Sequence, residues 1–154
     1  IWRGRSGAEG TRGGKSEKEK AIPAAQPGER EGAGWYLSSC RTGLGWAASE
    51  FRACVDTLGT KWQSGALANK VITATTSAQN PHGGQETTLQ SLYVTAMHWG
   101  AIIVAPGYAD EVKFEDGGNP YGYSCQPGPL DETGKKSVAY QTKRLVEFAK
   151  KISG

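Results

Sequence analysis

The sequence predicts an α/β domain in which helices cover both faces of a parallel sheet. Strand-like and helix-like segments alternate from residue 35 onward, the order that builds such sheets. Residues 101–104 (AIIV) form a fully apolar run, which is typical of buried parallel strands. The chain has 154 residues, enough for one compact domain and too few for two full ones.

Three segments are predicted to be strands. Residues 35–40 form a short apolar run, residues 70–76 (KVITATT) are rich in β-branched side chains, and residues 101–104 are entirely apolar. β-branched and apolar side chains fit a pleated, buried surface. Parallel sheets bind ligands at the carboxyl ends of their strands, so the loops of interest are residues 41–46, 77–85 and 106–128.

Three segments are predicted to be helices: residues 47–58, 86–99 and 134–152. Gly59 follows the first, where a helix often ends in a residue with positive φ. Lys150 and Lys151 lie at the end of the last, where they favourably oppose the helix dipole. The expected buried faces carry apolar residues at helical spacing: Phe51, Val55 and Leu58; Leu89, Leu92, Tyr93 and Ala96; and Val138, Leu145, Val146 and Ala149.

Residues 1–34 differ from the rest in composition, with eight glycines, seven Lys or Arg and five Glu. Such a segment buries too little apolar surface to offset the entropy of ordering it. We therefore expect a disordered tail at 1–34 and a folded domain at 35–154. A basic arm for nucleic acid is the alternative, although the five Glu nearly cancel its positive charge.

Charge and cysteine usage narrow the function classes. The net charge of +3 gives no case for a dedicated nucleic-acid binder, and no apolar run approaches the roughly 18 residues of a membrane span. Three cysteines without a C-x-x-C pair predict neither a disulfide framework nor a zinc site. A reducing cytoplasm is the expected location. Because the chain begins with Ile1 and no leader follows, we expect a fragment or an unusual start.

Three features could carry chemistry, and each has a plainer interpretation. The glycines of residues 78–86 would let a ligand approach the backbone near a helix N-terminus, or they form an ordinary turn. His98 is either a packed or capping residue or a catalytic one, and Trp62 is either a core anchor or a ligand platform. The sequence has no P-loop, no Gly-x-Ser-x-Gly elbow and no His-Glu-x-x-His motif.

Taken together, four segments in order carry a specific resemblance: KWQSGALANK, SAQNPHGGQETTLQSL, MHWGAIIVAPGYAD and GGNPYG. Residues 42–154 closely resemble the WrbA-type NAD(P)H:quinone oxidoreductases, a family of flavodoxin-like FMN proteins. The resemblance implies a flavodoxin-like sheet and hydride transfer from NAD(P)H to FMN, followed by two-electron reduction of a quinone. It also implies a homotetramer whose active sites draw on neighbouring subunits.

The resemblance also implies roles for particular residues. His98 matches the histidine that approaches the flavin and would act in catalysis, and Trp62 matches the tryptophan that lines the substrate pocket. No metal site is implied. The FMN-binding residues implied are Thr42, Gly43, Leu44, Ser77, Ala78, Gln79, Asn80, Pro81, His82, Gly83 and His98.

The sequence departs from the family pattern in two places. Gly43 and Leu44 replace the usual Arg or Tyr and the aromatic or Met, and residues 1–40 contain nothing like the Ser-x-x-Gly loop that wraps the FMN phosphate. We therefore expect a truncated or frameshifted member without its first two strands and first helix, and with residues 35–40 as an exposed edge strand. The alternative is a non-catalytic flavodoxin-like fragment that acts only in oligomerisation or interaction.

Overall fold

The computed structural model describes residues 34–152, and for Trp35 the backbone alone. Except for Gly34, the predicted tail lies outside the described residues. The strands are β1 (Trp35–Gly43), β2 (Trp46–Ala47), β3 (Val71–Ser77), β4 (Ile102–Ile103) and β5 (Ser124–Cys125). The helices are α1 (Ser49–Asp56), α2 (Gly59–Gln63), α3 (Gln85–His98), α4 (Val112–Glu115) and α5 (Glu132–Ile152).

β3 is the central strand of the described sheet. β1 runs parallel to it along its whole length, and β4 and β5 pair in parallel with its first and second halves on the other side. β2 pairs antiparallel with β1 at Thr42 and Gly43. Within the described part of the chain, β2 is the only strand on that outer edge of β1, in agreement with the edge strand expected from the sequence.

One helix covers each face of the sheet. Successive side chains of β3 point to opposite faces, so this strand packs against both helices. On one face, Ala74 packs with Leu89 and Leu92 of α3. On the other face, Val71 packs with Leu145 and Ala149 of α5. These apolar residues are at most 6% exposed, so both helices contribute to the core.

The edge strand opposite β1 is interrupted. Val104 donates its backbone N–H to the carbonyl of Ile72 (2.8 Å), and pairing resumes where Thr76 donates to the carbonyl of Tyr123 (3.1 Å). Between these two bonds the chain leaves the sheet and returns. The backbone of Ala74 lies beside this interruption and needs other partners, because unpaired backbone groups are costly when buried.

Side chains from both covering helices fill the interruption at Ala74. The Tyr93 hydroxyl, from α3, accepts the Ala74 N–H (3.2 Å) and donates to the carbonyl of Tyr121. The Gln141 amide, from α5, donates to the Ala74 carbonyl (2.8 Å) and accepts the N–H of Tyr123 (2.8 Å). We call the four residues that surround Ala74 in this way, Tyr93, Tyr121, Tyr123 and Gln141, the polar splice. It joins the returning chain to β3 at the point where no strand is available.

The structure confirms the three long helices and the three strands predicted from the sequence, with shifts of a few residues at their ends. One expectation is wrong: Gly59 begins α2 and does not adopt a positive φ. The chain passes from α1 to α2 through Thr57 and the buried Leu58, so no left-handed residue is needed there. The short elements β2, α2, α4 and β5 were not predicted.

The polar splice predicts that Gln141→Leu lowers the free energy of unfolding by about 2–6 kcal/mol. Leucine fills a similar volume but leaves the Ala74 carbonyl and the Tyr123 N–H buried without a partner, at about 1–3 kcal/mol for each group. The measurement is urea-induced unfolding. Gln90→Leu is the control, because the same change at an exposed position of α3 should cost no more than about 0.5 kcal/mol. Equal losses in the two variants would contradict this account.

Candidate functional site

The loops that follow the parallel strands meet at one edge of the sheet, which we call the carboxyl edge. It carries residues 42–45 after the pairing of β1 with β3, and residues 77–84 after β3. The loop after β3 is tied to β5, since Ala78 donates its N–H to the carbonyl of Cys125 (3.0 Å) and Gln126 donates its side-chain amide to the carbonyl of Gln79 (2.9 Å). The predicted cofactor residues after β1 and β3 therefore lie at one edge.

A tight hairpin joins β1 to β2 at this edge. Its two turn residues, Leu44 and Gly45, have φ values of 49° and 84°, which suits the twist of a two-residue hairpin. Gly45 adopts this conformation without cost, whereas for a leucine it costs roughly 1–2 kcal/mol. Leu44 is also fully exposed. The turn thus presents an apolar side chain to solvent from a strained backbone.

The two loops of the carboxyl edge touch through glycines. A Cβ atom on Gly84, whose φ is 87°, would lie 2.5 Å from the Cα of Gly45. A Cβ on Gly83 would lie 2.5 Å from that of Ala78. The loop after β3 is therefore folded tightly against itself and against the hairpin, and side chains at Gly83 or Gly84 would push these segments apart.

Within the loop after β3, backbone bonds set the positions of the predicted cofactor residues. The Asn80 carbonyl accepts the N–H of Gly83 (3.0 Å) and the side-chain amide of Gln85 (2.8 Å). These two hydrogen bonds hold the loop to the start of α3, while the tip of the loop stays exposed. The exposed residues are Gln79, Asn80, Pro81 and His82, whereas Ala78 is buried.

The first turn of α3 begins directly beneath this loop. Gly84 is its N-cap and supplies no side-chain hydrogen bond, so the first backbone N–H groups of the helix point toward the loop without a capping side chain. Within residues 34–152, the buried Gln85 Oε1 and Thr88 Oγ1 have no hydrogen-bond partner. Buried polar atoms are usually paired. The start of α3 therefore has no capping side chain, and two buried side-chain oxygens near it lack a hydrogen-bond partner.

His98 and Trp62 lie at the other edge of the sheet, which we call the amino edge. α3 starts at the carboxyl edge, and its 14 residues carry the chain about 21 Å before it ends at His98. The indole N–H of Trp62 donates to the His98 carbonyl (2.9 Å), and Trp62 is 55% exposed. The structure brings the two residues together, but it separates both from the loops of the carboxyl edge.

Burial raises the pKa values of two cysteines and a tyrosine of the sheet and its covering helix. It raises the pKa of the Cys40 thiol to about 11, with a smaller opposing effect from a backbone hydrogen bond to Ala48. Burial likewise raises the pKa of Cys125 and that of Tyr93. Neither of these two cysteines therefore provides a thiolate nucleophile at neutral pH. No group of three or more His, Cys, Asp or Glu that could hold a metal occurs among the described residues.

Two residues of the carboxyl edge, Thr76 and Gln85, were not predicted as site residues. Thr76 is buried beneath Thr42 and bonds to it, and Gln85 closes the loop after β3. The sequence signal for Gln85 was its place after two glycines, directly before the helix predicted at residues 86–99. Thr76 gave no signal, because it reads as one more β-branched residue of a strand.

Comparison with known proteins identifies similar chains. An NAD(P)H dehydrogenase (quinone) of Deinococcus radiodurans is 51% identical over 140 residues, covering 90% of this chain and 70% of the relative. Proteins of the same name from Methanosarcina mazei (34% over 132 residues) and Caulobacter vibrioides (38% over 125 residues) match 80% and 73% of this chain. The chain spans 63% and 61% of the length of these two relatives. No family model matches the chain.

The fold has a counterpart among solved structures. A WrbA-like flavodoxin from Agrobacterium tumefaciens superposes with a TM-score of 0.66 at 19% identity, covering 88% of this chain and 74% of that protein. The fold is therefore flavodoxin-like, as the sequence predicted. None of the helices in residues 34–152 is both long and apolar enough to cross a membrane.

The contact between Gly45 and Gly84 predicts that Gly84→Ala loosens the carboxyl edge. The added methyl group must displace the hairpin turn in addition to adopting a positive φ. Gly107→Ala is the matched control, because Gly107 also has a positive φ (60°) but a Cβ there meets nothing within 4 Å. We expect a loss of about 1–2 kcal/mol in the control and a clearly larger loss in Gly84→Ala, measured by thermal unfolding. Equal losses of stability in the two variants would show that the two loops can move apart at no cost in free energy.

Proposed function

The chain belongs to the family of the NAD(P)H dehydrogenases (quinone), and from this premise we propose that it is an FMN-dependent enzyme that reduces quinones. The overall reaction takes NAD(P)H, a proton and a quinone to NAD(P)⁺ and a hydroquinone. The residues of the carboxyl edge would hold FMN, and the chemistry that it would supply there is acceptance of a hydride and transfer of two electrons. The protein binds and orients the reactants and excludes water.

The carboxyl edge is the proposed flavin site. Three features support a flat, polar ring at this place: the closely packed Gly83 and Gly84, the start of α3 without a capping side chain, and the buried, unpaired oxygens of Gln85 and Thr88. Thr42 and the exposed residues 79–82 border the same space. The fit rests on these features and on the open loop tip above them.

The observation that carries the proposal is the separation of the two edges within one chain. The flavin loops lie at the carboxyl edge, whereas Trp62 and His98 lie about 21 Å away along α3. For Trp62 to line the quinone pocket and His98 to approach the ring, they must come from another copy of the chain. The proposed enzyme is therefore a homo-oligomer, a tetramer as the family resemblance implies, whose active sites are shared between subunits.

Trp62 is well suited to that role. Its indole N–H is held by the carbonyl at the end of α3 (2.9 Å), while more than half of its surface remains exposed. An aromatic ring fixed in one orientation offers a stacking face with little further loss of entropy on binding. His98, exposed beside it, supplies a side chain that can donate or accept a hydrogen bond at the ring.

The surface of α3 supports association with a second copy. An open groove of about 650 Å³ runs between α1 and α3. Val94 and Met97, one turn apart on α3, are 53% and 62% exposed. Exposed apolar surface of this kind marks interaction sites. The groove is lined by polar and charged residues as well as by apolar and aromatic ones, the latter being Trp46, Ala47, Phe51, Val55, Leu92 and Val94.

We further propose that the protein works in the cytoplasm. Cys40 and Cys125 are thiols rather than members of a disulfide, as expected in a reducing compartment.

The test of the reaction is oxidation of NADH or NADPH by a soluble quinone in the presence of added FMN. We expect turnover by the unsubstituted chain, together with loss of turnover in Trp62→Ala and retention of most of it in Trp62→Phe. Phenylalanine keeps a stacking face but cannot donate to the His98 carbonyl. If the folded chain binds no FMN and oxidises no NAD(P)H, the enzymatic proposal falls and a non-catalytic interaction module remains.

The shared site predicts that two inactive variants restore each other. Trp62→Ala disables the amino edge and Gly84→Ala the carboxyl edge, so a mixed oligomer contains some sites with both edges intact. We expect quinone reduction to return when the two variants are unfolded together and refolded. The control mixes Trp62→Ala with the double variant Trp62→Ala, Gly84→Ala, which can form no intact site. Recovery in neither mixture, with oligomers present in sedimentation, would place each site within one chain.

A further inference from the structure

Three oxygen atoms form a chain across β1 and β3 at the carboxyl edge. The hydroxyl oxygens of Thr42 and Thr76 are 2.9 Å apart. The Thr76 hydroxyl also donates to the backbone carbonyl of Cys40, at 2.8 Å. Thr76 is 5% exposed, whereas Thr42, at the end of the chain of oxygens, is only half-buried.

Counting protons fixes the direction of these bonds. Each hydroxyl has one proton and two lone pairs, and a carbonyl has lone pairs alone. The bond to Cys40 therefore uses the proton of Thr76. Both contacts can be hydrogen bonds in one arrangement only, in which Thr42 donates to Thr76 and Thr76 donates to Cys40. The hydroxyl proton of Thr42 is therefore used in the bond to Thr76. Toward a ligand, the Thr42 oxygen can only accept a hydrogen bond.

We propose that Thr76 holds Thr42 as a pure hydrogen-bond acceptor, so that Thr42 selects an N–H or O–H donor of the bound flavin. The inference rests on the proposed function, because it assigns a polarity to the same flavin site. Thr76 is a positioning residue, since it acts through Thr42.

The polarity decides which part of a flavin can lie against Thr42. The oxidised ring has a single N–H donor, its imide, and the ribityl chain carries hydroxyl donors. The phosphate group has only acceptor oxygens when fully ionised, so it would meet the lone pairs of Thr42 rather than a proton. Thr42 therefore fits the ring or the ribityl chain and disfavours the phosphate.

The test compares riboflavin with two analogues that each lack one kind of donor. N3-methylriboflavin lacks the imide N–H, and lumiflavin lacks the ribityl hydroxyls. Binding is measured by quenching of flavin fluorescence for the unsubstituted chain and for Thr42→Val, Thr42→Ser and Thr76→Val. Valine has the shape of threonine without a hydroxyl, and serine keeps it. Circular dichroism and urea unfolding verify that each variant is folded.

The expected result is a pair of losses that do not add. Thr42→Val weakens riboflavin binding about tenfold, and one analogue binds the unsubstituted chain more weakly by a similar factor. That same analogue binds Thr42→Val no more weakly than riboflavin does, because the bond is already absent. Thr42→Ser retains the discrimination. Thr76→Val reduces it, since the Thr42 proton is then free to point at the ligand.

Three outcomes overturn the inference. If each analogue binds more weakly than riboflavin by the same factor in Thr42→Val as in the unsubstituted chain, Thr42 accepts no hydrogen bond from the flavin. If Thr76→Val discriminates as strongly as the unsubstituted chain, Thr76 does not set the polarity. If the folded, unsubstituted chain binds neither these three flavins nor FMN, the proposed function fails first. That result is distinguishable because flavin binding is absent rather than unselective.

Discussion

In the middle of β3, the backbone of Ala74 lies where β4 has ended and β5 has not begun. One helix from each face sends a polar side chain to this point, Tyr93 from α3 and Gln141 from α5, and together they bind the Ala74 backbone and the returning chain. Gly122 passes so close that a methyl group there would overlap the Ala74 carbonyl oxygen. The sheet can therefore tolerate the excursion after β4 because both covering layers contribute to closing it.

The carboxyl edge depends on this closure. Once the chain has returned, β5 pairs with Thr76 and Ser77, the last residues of β3. Ser77 is where the loop of the candidate site begins, and Thr76 holds Thr42 of the neighbouring strand. The positions of both loops thus depend on the pairing of β5 with β3 and on the bond between Thr42 and Thr76. A change at Gln141 would alter the candidate site although Gln141 belongs to the far helix.

The long elements could be predicted from the sequence because each carries a repeated pattern. The β-branched run at residues 70–76 corresponds to Val71–Ser77, and the helical spacing at residues 86–99 corresponds to Gln85–His98. β2 and β5 have two residues each, too few for any pattern. Gly59 shows the other limit, because a glycine only permits a positive φ, whereas here it begins a second helix directly after the buried Leu58.

Prediction of the candidate site divides in the same way. The order of strands and helices is enough to place the loops after β1 and β3 at one edge, because parallel strands end together. The resemblance in sequence names Trp62 and His98 and implies sites shared between subunits, but it does not say which residues of a site come from which subunit. The direction of α3 supports the proposal that Trp62 and His98 serve the flavin site of another copy, since one end of the helix carries the loop glycines and the other carries His98. The chain exposes Leu44 at one edge and Trp62 at the other, so each edge presents the kind of apolar surface that the opposite edge of a second copy could cover.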